Sequence, residues 1–160
     1  APSAWYTLAD YSRYTLADYG WYTLADSRWY SIARLLTNAA LAIRRTLDEH
    51  SELAIDDLAG LARLGLAGGA RAGALAQVQD ILAWLAANRT GGIDEPALVY
   101  LICYEVLKSA GQAEQARKVL EQGHPLVEAG ANRIQDTSLR AMYLSSVPFN
   151  RELRAAWAAR

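Results

Sequence analysis

From Leu35 onward, apolar residues return every three or four positions, the period of an α-helix rather than the two-residue alternation of a strand. Leu35, Leu36, Ala39, Ala40 and Ile43 mark the first such face. A second covers Leu53–Leu66, with Asp48 or Ser51 as its N-cap and Gly68-Gly69 as a left-handed stop. Leu75, Val78, Ile81, Leu82 and Leu85 place a helix over Arg71–Asn88, ended by Gly91-Gly92. Asp94-Glu95-Pro96 then supplies an acid at the cap and a proline in the first turn, predicting a helix over Ala97–Ala110 that stops at Gly111. The next runs from Gln112 towards Asn132, with Gly123-His124-Pro125 as a kink or break. Asp136 caps a short helix through Ser145, and Pro148 opens the last stretch, Asn150–Arg160. Short connections make neighbouring helices antiparallel hairpins.

The first third of the chain follows another rule. Tyr-Thr-Leu-Ala-Asp occurs at Tyr6–Asp10, Tyr14–Asp18 and Tyr22–Asp26, and Tyr30-Ser31-Ile32-Ala33-Arg34 is a degraded fourth copy. Trp5, Trp21 and Trp29 precede three of the four. A repeat of this length drifts by about 80° per copy on a straight helix, so no one face stays apolar. It also equals a whole number of strand periods, in a segment rich in Tyr, Trp and Thr. An extended reading therefore stands beside a helical one. In the helical reading one helix covers Ser3 to Asp18 and another starts near Trp21, after Tyr19-Gly20. It is preferred because the face from Leu35 is helical and leaves little room for a strand partner.

Composition narrows the class. Apolar residues are 52% of the 160, enough for a continuous core, and Ala and Leu dominate them, which favours helix. The net charge of −1 and pI near 6.1 provide no field to attract nucleic acid or an anionic membrane. No apolar run has the length of a membrane span, which reads as a soluble, cytoplasmic protein. Cys103 is the only cysteine and Met142 the only methionine. One thiol makes neither an intramolecular disulfide nor a metal site, and no cofactor is implied. A start at Ala1-Pro2-Ser3 reads as a piece of a longer protein.

Candidate chemistry is sparse. The run Gly65-Leu66-Ala67-Gly68-Gly69-Ala70-Arg71-Ala72-Gly73 lacks the Lys-Ser/Thr or Gly-x-Gly-x-x-Gly of a phosphate loop and reads as a hairpin turn. His50, among Asp48, Glu49 and Ser51, has no nucleophile or oxyanion element with it and reads as a solvated helix start. His124 reads as a kink residue before Pro125, and the two histidines form no zinc set. Cys103 lies between Leu101 and Leu107 and reads as a buried, inert thiol. The Trp and Tyr cluster of the first thirty residues reads as core or partner contact rather than a base-stacking platform, and it offers a face for homodimerisation. These readings point away from an enzyme.

Two hairpins repeat each other. Leu58, Leu61, Ala62, Gly69, Ala74, Val78 and Ile81 are matched by Tyr100, Cys103, Tyr104, Gly111, Ala116, Leu120 and Gly123, each 42 positions on. Ala17, Gly20, Trp21, Ala33, Thr37 and Ala40 form a fainter copy, with Arg28 where the turn glycine belongs. The pattern resembles the tetratricopeptide repeat, in a longer form like that of helical sensor regions in large bacterial regulators. The tail, Leu139-Arg140, Tyr143-Leu144, Val147-Pro148 and Arg151-Glu152-Leu153, is similar to the closing segment of such arrays in bacterial multidomain ATPases, LuxR-type activators and related cyclases. The resemblance covers residues 33–157. It implies an all-α fold of antiparallel hairpins stacked as a right-handed superhelix, in one domain over residues 1–160. Its repeats would cover 4–47, 51–89 and 94–132, with a capping helix pair over 136–160.

The resemblance also implies a surface. In this family the first helix of each pair lines a concave groove. The non-core positions there are Asp18 and Tyr22 in the first pair, Asp56, Ala59 and Arg63 in the second, and Leu98, Leu101, Glu105 and Lys108 in the third. The function implied is a non-catalytic protein–protein interaction domain of a bacterial signalling or transcription regulator, binding a peptide, a partner protein or another domain of its own parent chain. A small-molecule sensor module of such a regulator is the alternative, and a stand-alone enzyme ranks below both.

Overall fold

A computed structural model describes residues 53–90 and 93–160, together with Ser31, Arg34, Leu35, Asn38, Ala39 and Ala42, which are helical. The Tyr-Thr-Leu-Ala-Asp copies, Asp18, Tyr22, Asp48, His50 and Ser51 lie outside the described residues. Among the described residues all regular structure is helical, which bears out the all-α expectation. Six helices have defined bounds: α1 Leu53–Ala67, α2 Arg71–Asn88, α3 Pro96–Ser109, α4 Ala113–Asn132, α5 Thr137–Ser145 and α6 Pro148–Ala158. The chain divides between residues 92 and 93 into two units, the first holding α1 and α2 and the second α3 to α6.

In the first unit α1 packs on α2 across a short turn. The Ala70 amide reaches back to the Gly65 carbonyl at 2.8 Å and the Gly69 amide to Leu66 at 3.3 Å, the paired bonds of a Schellman stop. Gly69 adopts φ +78°, which a side chain would penalise. Beyond the turn Ala74, Val78, Ile81 and Leu85 are buried, one inward residue per turn of α2. The helix ends at Asn88, as expected, while Gly91-Gly92 lie outside the described residues. Arg89 takes φ +59° and donates its amide to Leu85 O at 2.9 Å. A non-glycine residue thus performs the left-handed stop, at a backbone cost.

In the second unit Pro96 occupies the first turn of α3, where its fixed φ suits the helix and its missing N–H costs nothing. Glu95 stands at the cap position but makes no side-chain capping bond, so the start is set by proline rather than by the acid. The turn from α3 to α4 repeats the first. Gln112 N–H bonds Leu107 O at 2.9 Å, Gly111 N–H bonds Lys108 O at 3.1 Å, and Gly111 has φ +75°. Each bond is the earlier one displaced by 42 positions. The buried residues keep the same offset, Ala74 with Ala116, Val78 with Leu120 and Ile81 with Gly123.

Of the kink or break expected at Gly123-His124-Pro125, the break is absent: α4 runs through Pro125 as one helix. Pro125 is exposed, and the Glu121 residue whose carbonyl loses a donor is exposed too, so the missing bond lies on the solvent side where it costs least. Asp136 caps α5 as predicted: one carboxylate oxygen accepts from both the Ser138 and Leu139 amides at 2.8 Å. α6 then packs against α3, α4 and α5. Ala97 and Leu101 from α3, Leu120 and Val127 from α4, and Leu153 from α6 form one apolar cluster, edged by Tyr104, Tyr143, Phe149 and Trp157. Asn150 is fully buried at the start of α6 and donates to Tyr143 O at 3.1 Å, which ties α6 to the end of α5. Its Oδ1 has no partner, a cost that the surrounding packing must offset.

Candidate interaction surfaces

The expected surface residues fall in three settings. On α1, Asp56 and Arg63 lie two turns apart and are half-buried, forming with Gly60 a partly open stripe along a helix that is otherwise largely buried. On α3, Leu98 and Glu105 are likewise two turns apart and half-buried. Lys108 is exposed and belongs to another stripe, that of Ala97, Leu101 and Tyr104. Its ammonium donates to the Tyr104 hydroxyl at 3.1 Å and stands 5.4 Å from that ring's centre. Two expectations are overturned. Ala59 is 1% exposed and Leu101 2%, so neither can line a groove. Leu101 is buried because α6 lies over the stripe that contains it.

A constellation that the sequence reading missed joins α4 to α6. The His124 imidazole stacks on the Trp157 indole, centroids 4.6 Å apart and planes 11° apart. The Arg160 guanidinium covers the same indole at 3.1 Å from its centre. One oxygen of Glu128, a turn beyond His124, accepts from Arg154 Nε at 3.1 Å and lies 3.5 Å from His124 Nε2. Two signals for this were present. His124 and Glu128 have i, i+4 spacing, and Phe149, Leu153 and Trp157 recur every fourth residue.

Two glycines of α4 shape what it receives. A Cβ on Gly123 would lie 2.7 Å from Tyr100 Cβ and 3.3 Å from a Leu153 methyl, so the bare backbone there forms a notch between α3 and α6. A Cβ on Gly130 would collide with the Tyr143 hydroxyl, which seats α5 on the end of α4. The outer face of α4 is different. Glu114, Arg117, Lys118 and Glu121 form an exposed ladder of ion pairs, and the Arg117 hydrogen bond holds the Glu114 carboxyl below its usual range. Exposed pairs of this kind contribute little to stability and read as a solvated face.

Cys103 is fully buried, and burial pushes its thiol up to about 12, so no reactive thiolate forms near neutrality. Among the described residues no group of three His, Cys, Asp or Glu side chains is placed to hold a metal ion. Among the same residues no helix is long and apolar enough to cross a membrane. No family model, curated protein or solved structure matches this chain.

Proposed function

We propose that this chain is a non-catalytic interaction module of the tetratricopeptide kind, which recognises a peptide or a partner domain along the first helices of its hairpins. The observation that carries the reading is the repeated hairpin. Two helix pairs close through the same hydrogen-bonded turn at Gly69 and Gly111 and keep the same inward positions. Repetition of one unit produces extended, modular surfaces suited to recognition rather than a single enclosed site. Within the first unit the half-buried Asp56 and Arg63, and within the second the half-buried Leu98 and Glu105 with exposed Lys108, each offer polar contact of the type that a peptide segment uses. The parent would be a cytoplasmic bacterial signalling or transcription regulator, in keeping with the resemblance of the tail.

The test is capture of a random peptide library on the immobilised chain, in parallel with its Arg63→Glu and Glu105→Arg variants. The reading expects a defined peptide set on the parent that changes in charge preference on each variant. An identical set on all three, or none on the parent, removes it.

A further inference from the structure

We draw no further inference here: the strongest candidate, the exposed apolar patch of Leu139 and Met142 on α5, has nothing in the structure to show what covers it, since the charges on that helix are of both signs and engaged, Asp136 at its cap and Arg140 on the Ile134 carbonyl.

Discussion

His124 and Trp157 lie face to face, 4.6 Å between ring centres, and their contact joins α4 to α6 near the surface. Stacked aromatic pairs contribute about 0.5–1.5 kcal/mol beyond the area they bury. His124→Ala is therefore expected to weaken the attachment of α6 by about 1 kcal/mol, with the α3–α4 hairpin retained. His124→Phe keeps a ring against the indole but loses the contact to Glu128, and should recover most of the loss. Urea titration combined with hydrogen exchange of the α6 amides measures both.

The paired turns give a prediction in duplicate. Gly69 and Gly111 both adopt left-handed φ, and a Cβ on either would meet no atom within 4 Å. Substitution by alanine thus carries the backbone penalty alone. Gly69→Ala and Gly111→Ala should each destabilise by about 1–2 kcal/mol, and by similar amounts. Arg89 reverses the sign, because it already bears that conformation with a side chain. Arg89→Gly is expected to raise the urea midpoint modestly. An equal loss of stability at all three positions would contradict the backbone account.

Gly130 and Tyr143 form a lock that should behave non-additively. Gly130→Ala drives a methyl into the Tyr143 hydroxyl and should cost about 1–3 kcal/mol by overpacking. Tyr143→Leu loses the aromatic contact but removes the obstruction. The double variant should be more stable than the sum of the single effects predicts, by roughly 1 kcal/mol or more. A double-variant cycle from urea midpoints checks it, and simple additivity would show that α5 is not seated through this contact.

Cys103 makes stability depend on alkaline pH. Burial raises its thiol from 9.0 to about 12 in the folded chain. The unfolded chain releases this proton first, so the stabilisation is complete below about pH 9 and is lost as pH rises towards 12. The slope approaches about 1.4 kcal/mol per pH unit inside that window. Burial pushes the Tyr100 phenol up as well, with the nearby Cys103 adding to it, and its contribution has the same sign. Cys103→Val should flatten the Cys103 part of the alkaline decline while leaving the part of Tyr100's that burial causes. Denaturant midpoints between pH 8 and pH 11 measure the difference, and a parallel decline in both proteins would reject the assignment.

The helices, their order and the two turn glycines were legible because they rest on local rules: apolar period, proline in the first turn, aspartate at the cap of α5, glycine at the stop. Contacts between distant residues were not. The stacking of His124 was not legible because its partner, Trp157, lies on another helix. Pro125 suggested a break because the rule counts the lost bond but not which side of the helix it faces. Leu101 was placed on an open groove because its register matched a first-helix surface, and nothing local shows that α6 covers it. Arg89 was missed because residue type predicts a left-handed stop only when glycine or asparagine performs it.

The turn shared by the two hairpins has a consequence for how such a chain can change. Its closure uses main-chain amides and carbonyls and one glycine conformation, with no side chain from the outer faces. The outward residues of α1 and α3 can therefore be rewritten freely while the geometry of each pair is kept. A lineage that retains the glycine, the small inward residue after it and the buried apolar positions keeps its scaffold while its outward residues change.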